Sequence, residues 1–168
     1  GALLRYVTET QSSELSHIQH IQQEHSSEFV ILDSITRKNL ELTSTLSGED
    51  SPTLFSVIDH CCTPMGARLL RRWVHHPLRD NQIIFERQER IQALIQPAGE
   101  LEWPSFGIHD LHAALKHFPD IERIATRMAL LTVRPRELAS LREALDVLPT
   151  LWEQLQQHFE PSLFQPLI

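Results

Sequence analysis

Glycine is scarce, five in 168 residues, and the five are too dispersed to cradle a phosphate. No GxGxxG, Walker-type GxxxxGKS/T or G-x-S-x-G pattern occurs, so the nucleotide-binding loops and nucleophile elbows built on glycine have no counterpart here. Cysteine is limited to the adjacent pair Cys61 and Cys62. Neighbouring cysteines bridge only under strain, and two thiols without spaced partners give no disulfide framework. A reducing, cytoplasmic home is the expectation. No apolar run approaches the ~18 residues of a membrane span, and no basic start leads into an apolar stretch, so neither a span nor a signal peptide is visible. Basic excess is missing as well. The formal net charge is −7, whereas a free-standing nucleic-acid binder carries a basic surplus over its domain.

Ten histidines are present, but neither HExxH nor a spaced CxxC pair accompanies them. His109, His112 and His117 read as structural or surface residues, and no metal ligand is assigned. The apolar fraction of 41% and the length fit one ordinary domain. The chain opens on Gly1 and closes on the apolar "SLFQPLI", and both ends read as cuts from a longer protein.

Proline punctuates a helical pattern. Ser51-Pro52 and Thr63-Pro64 each place a capping oxygen before a proline suited to the first helical turn. Leu54, Phe55, Ile58, Cys61 and Cys62 then fall on one stripe, which makes both cysteines small core residues. Asp59 falls inside that helix. The next helix runs from Pro64 to about His76, where Pro77 stops it, and Asp80 caps a third. Residues 96–107 read as a loop. Further helices are expected at 108–117, from Pro119, and from Pro135. In the last, Leu138, Leu141, Leu145 and Leu148 form a seam for a neighbouring helix. Near the start, "ALLRYVTET" reads as a short amphipathic helix. "FVIL" at 29–32 reads as a short buried strand paired with 17–23. The fold class is therefore mainly α, an orthogonal multi-helix bundle with a short β element near the N-terminal part.

One segment carries a question. In "TPMGARLLRRWVHHPLRD", residues 63–80, four arginines and two histidines meet a single acid. At roughly 100° per residue Leu69, Leu70, Trp73 and Val74 share one side, and Arg68, Arg71, Arg72 and His75 the other. Trp73 is then a core anchor and not a base-stacking platform. The arginines either meet acids from nearby segments such as Glu86, Glu89 or Asp59, or, with Arg79, contact DNA phosphate. No catalytic constellation is found. Asp33, Asp80, Asp110 and Asp120 lie at helix starts, where capping accounts for them.

Asp33, Thr36, Asn39, Leu40 and Glu41 make a D-x-x-T-x-x-N-L-E pattern, and Thr63, Gly66, Arg68, Leu70, Trp73 and Pro77 a T-x-x-G-x-R-x-L-x-x-W-x-x-x-P pattern. With "ERQERIQAL", "DIERIATRMAL" and "RPRELASLREAL" following in order, these segments resemble the MutS family of DNA mismatch-repair proteins, specifically the core or lever domain of bacterial members. The resemblance covers about residues 29–150. It implies a division into 1–28, the end of a connector domain or linker, and 29–168, a core domain truncated before the clamp. It further implies a parent that is a homodimeric, DNA-binding ATPase. In that parent this domain joins the ATPase domain to the DNA clamp, and ATP and Mg are bound outside this stretch. The Phe-x-Glu mismatch wedge and the Walker loop have no match here, so no cofactor-contacting or mismatch-contacting residue is carried over. Gly66 would permit close helix approach, and the other signature residues are expected to be architectural.

Overall fold

Threonine or aspartate oxygens cap the starts of four helices. In a computed structural model, which describes residues 2–10, 26–95 and 106–159, the described residues form eight α-helices. They are α1 (Ala2–Thr10), α2 (Ser34–Asn39), α3 (Leu54–Ile58), α4 (Pro64–His75), α5 (Asn81–Ile95), α6 (Ile108–Leu115), α7 (Ile121–Ala129) and α8 (Pro135–His158). The chain is mainly α, and among the described residues no β-strand forms. No helix among them is long and apolar enough to cross a membrane.

Residues 29–32 are not a buried strand. Phe29 makes a single antiparallel bridge to Leu78, with Val30 N donating to Pro77 O (2.8 Å) and Arg79 N to Glu28 O (3.0 Å). The partner is thus the stretch that follows α4. Residues 17–23 lie outside the described residues, as does most of the loop expected at 96–107. Val30 and Ile31 are exposed, because one bridge has no second layer to cover its side chains.

The start of α3 also differs from expectation. Its cap is Thr53, not Ser51: Thr53 Oγ1 accepts the Ser56 amide (3.1 Å) and Ser56 Oγ accepts the Thr53 amide (2.8 Å). This reciprocal pair satisfies two amides that a helix start leaves without partners. The helix ends at Ile58, and Asp59 is its C-cap, its carboxylate accepting the Cys61 amide (3.2 Å). Cys61 is therefore beyond the helix and exposed, and Cys62 is half-buried. The stripe assigned to them fails because the helix stops before reaching them.

An apolar centre forms in the second half. Phe106, Leu151 and Phe159 are buried together, with Leu94, Leu111, Ala114, Leu115, Phe118 and Leu155 packed around them. The end of α5, the inner face of α6 and the distal half of α8 converge there. Ile124 of α7 and Ala144 of α8 are buried as well, and Arg127 and Glu137 pair to tie these two helices. Glu137 also accepts the Arg134 amide (2.9 Å), so one carboxylate caps α8 and binds α7. Leu138, Leu145 and Leu148 of the expected seam are exposed. Their spacing is helical, but the face of α8 that meets neighbours carries Ala144 and Leu151. Pro149 lies inside α8.

Candidate functional site

The basic face of α4 is built from its cap. Thr63 Oγ1 accepts the Gly66 amide (3.1 Å), and Pro64 occupies the first turn, where its missing N–H costs nothing. Gly66 does not serve a neighbouring helix. A Cβ there would stand 3.2 Å from Thr63 Oγ1 and 3.5 Å from Cys61 Cβ, so its closeness is to the cap and the preceding turn. Leu70, Trp73 and Val74 are half-buried, whereas Leu69 is exposed. Trp73 is covered by Arg87 of α5, whose guanidinium carbon lies 3.8 Å from the ring centroid. The desolvation accompanying that contact lowers the Arg87 pKa. The ring is thus a stacking surface, taken up inside the protein by a cation.

The four arginines of the question do not act as one surface. Arg68 donates from both terminal nitrogens to Asp120 (2.6 and 2.7 Å) and from Nη2 to Glu122 (2.7 Å). Asp120 also caps α7, accepting the Arg123 amide (3.1 Å). The Arg68 hydrogen bonds are the largest influence holding the Asp120 carboxyl below its usual 3.8. The same contacts raise the Arg68 pKa further. The arginine is therefore a two-pronged clasp from α4 to the start of α7. Arg71 lies over the Phe55 ring, 5.1 Å to the centroid, and ties α4 to α3. Arg72 stands on the exposed side of α4. Arg79 is beyond the helix, in the bridge to residues 28–30. The acids that meet Arg68 are neither Glu86, Glu89 nor Asp59. They lie more than fifty positions away, signalled in the sequence only by their place at a helix start.

His75 sits on the same helix, its Nε2 3.1 Å from Thr43 Oγ1. Burial, then the charges of Arg37, Arg71 and His76, hold it below its ordinary 6.5. Among the described residues no three His, Cys, Asp or Glu side chains are grouped as a metal ion would need.

The other signature segment is equally local in its chemistry. Asp33 accepts the Thr36 amide (2.6 Å) and starts α2, which lowers its pKa. Asn39 ends the helix and Leu40 is the C-cap. Glu41 then takes φ +47°. Its amide reaches Lys38 O (3.0 Å), and the Leu42 amide reaches Arg37 O (3.3 Å). These two bonds are the Schellman closure, which a left-handed residue makes possible. Glu41 Oε1 accepts the Leu46 amide (2.7 Å) and its carbonyl the Leu54 amide (3.0 Å).

A family model, MutS domain III, matches residues 35–167. The chain belongs to the MutS family. It is a MutS-family mismatch-repair protein's core domain, and it is helical. Within this MutS domain, Asp33 and Thr36 start a helix, and Asn39, Leu40 and Glu41 end it and turn the chain. Thr63 and Gly66 form a cap, Arg68 is a clasp, and Trp73 lies beneath Arg87. The Pro77 carbonyl receives the Val30 amide.

Proposed function

We propose that this domain couples the ATPase domain of a mismatch-recognition protein to its DNA clamp, passing the nucleotide state along packed helices. The family match over residues 35–167 carries the reading, and the structure supports it in two ways. The 24-residue helix α8 spans ~36 Å at ~1.5 Å per residue and joins α7 near its start to the Phe106 centre near its end. The Arg68, Arg71 and Arg127 contacts tie α3, α4, α7 and α8 into a connected frame, as a coupling element requires. In this reading residues 1–28 are the exit of the preceding connector domain, ATP and Mg bind elsewhere in a homodimeric parent, and DNA is held by other domains.

The competing reading, a nucleic-acid grip by Arg68, Arg71, Arg72 and Arg79, loses its strongest member. Arg68 would have to leave two carboxylates to reach a phosphate.

The test softens α8 in the full-length protein. Glu143→Gly with Val147→Gly, both at exposed positions, each weaken helix by ~1 kcal/mol. Nucleotide-free affinity for mismatched duplex stays unchanged, while the change in affinity on adding ATP shrinks at least several-fold. An ATP response of full size in that variant rules out coupling through α8.

A further inference from the structure

Between α4 and the first half of α7 lies an open pocket of about 370 Å³, lined by Arg68, Glu122, Arg123 and Thr126. The last three stand on neighbouring turns of α7, and Arg68 reaches across to them from α4. The pocket therefore brings two guanidinium groups to one opening, and the two are met differently.

Asp120 closes the Arg68 fork end-on, one oxygen to each terminal nitrogen (2.6 and 2.7 Å). The remaining hydrogen of Nη2 goes to Glu122 (2.7 Å). The Asp120 side chain is 16% exposed and that of Glu122 67%. An ion pair so open to water contributes little, so Glu122 is a replaceable acceptor and Asp120 is not. Arg123 has its amide on Asp120 (3.1 Å), which fixes its place on the helix. Among the described residues no carboxylate pairs with its guanidinium. The Thr126 hydroxyl, which donates to the Glu122 carbonyl (2.9 Å), is a further donor at the wall.

We infer that this pocket binds a doubly charged phosphate, free or as a monoester, which takes Arg123 and the Nη2 hydrogen that Glu122 gives up. Guanidinium groups suit phosphate oxygens. A monoester carries about −1.5 to −2 near neutral pH, more than the carboxylate it displaces. The exchange thus strengthens the outer contact of Arg68 and gives Arg123 its first. A DNA backbone diester carries a single charge and gains nothing over Glu122, so the free or terminal group is the ligand. The volume leaves room beside the phosphate for part of the molecule that carries it. A grip shared with Arg71 and Arg72 would cost Arg68 both carboxylates, whereas a ligand here costs it Glu122 alone, and the clasp to Asp120 persists. The site is independent of the coupling role, which stands or falls on α8.

The Nε–H signals of Arg68 and Arg123 are followed by NMR in this chain as inorganic phosphate replaces chloride at constant ionic strength, and separately with a short duplex. Phosphate shifts the two signals together and saturates. Arg123→Gln weakens binding roughly tenfold or more, as loss of a charge-assisted contact demands. Glu122→Gln removes the competitor and tightens binding roughly two- to fivefold, the scale of an exposed ion pair. Glu49→Gln, the same change of charge outside the pocket, leaves it unchanged. All three substitutions are at exposed positions, and an unchanged helical circular dichroism spectrum confirms each fold. Absence of a saturable shift with phosphate overturns the site. Binding kept in Arg123→Gln, or equal tightening by Glu122→Gln and Glu49→Gln, marks an adventitious ion only. Duplex binding at a lower phosphate concentration than the free anion requires overturns the choice of a doubly charged ligand.

Discussion

Thr53 and Phe106 are buried alike, at 3% and 5% exposure, yet they are buried for opposite reasons. Around Thr53 the chain is held by hydrogen bonds: a reciprocal cap, a Schellman turn at Glu41, and Thr45, also buried, whose Oγ1 accepts the Glu49 amide (2.9 Å). Leu54, Val57 and Ile58 nearby remain exposed. Around Phe106 the chain is held by apolar side chains from α5, α6 and α8. The first part is specified by the geometry of single residues, the second by summed contact. Directional bonds fix a shape with little core, and apolar burial supplies most of the stability.

Substitutions probe that difference, and the largest effect belongs to the apolar centre. Phe106→Ala lowers stability by roughly 3–5 kcal/mol in urea titration, the range for an aromatic removed from a core. A loss under about 1 kcal/mol would mean that the cluster does not hold this half together. Thr53→Ala costs about 1–2 kcal/mol, the range for a lost cap, and Thr53→Ser restores most of it. If serine does no better than alanine, packing of the methyl group is what matters there.

The third substitution crosses the divide. Leu131 ends α7 at φ +55° and is 93% exposed, with its amide on Met128 O (3.0 Å) and the Thr132 amide on Arg127 O (2.9 Å). The apolar half thus contains the same Schellman closure as the polar half, with a residue poorly suited to it. Leu131→Gly removes the left-handed penalty and raises stability by about 0.5–1 kcal/mol. A decrease in the urea midpoint would show that the leucine makes a contact which offsets its strain.

The smallest effect is at the clasp between the halves. Asp120→Asn keeps the cap and removes the charge facing Arg68. Because the folded carboxyl titrates below its usual 3.8, the pair stabilises at neutral pH and that contribution disappears as pH falls through the folded value. Wild type and variant therefore differ slightly in urea midpoint at pH 7 and converge at low pH and at high salt. A difference that persists in acid would assign the effect to the cap.

Helix starts were legible wherever the signal is confined to three or four residues. Thr63-Pro64 and the run at Pro135 begin helices as expected, and so does Asp33. Ser51-Pro52 shares with Thr63-Pro64 a hydroxyl before a proline, but Thr53 forms the box with Ser56, and the helix begins there. Helix periodicity placed Leu138, Leu145 and Leu148 on one row without saying whether anything lies opposite. Trp73 was expected as a core anchor. It is half-buried, and its cover is an arginine that no hydrophobic pattern reveals. Arg68 joining Asp120 is a contact across 52 positions, and nothing in the local spacing of either residue encodes it.

Pro149 gives α8 an uneven stiffness. Lacking an amide hydrogen, it leaves the Leu145 carbonyl without the bond that would cross that turn. The backbone remains continuous, so a thrust along the rod passes through, while a sideways load meets less resistance at this turn than elsewhere. The helix behaves as a notched beam, firm in compression and compliant in bending, with the notch just ahead of Leu151, where it enters the apolar centre.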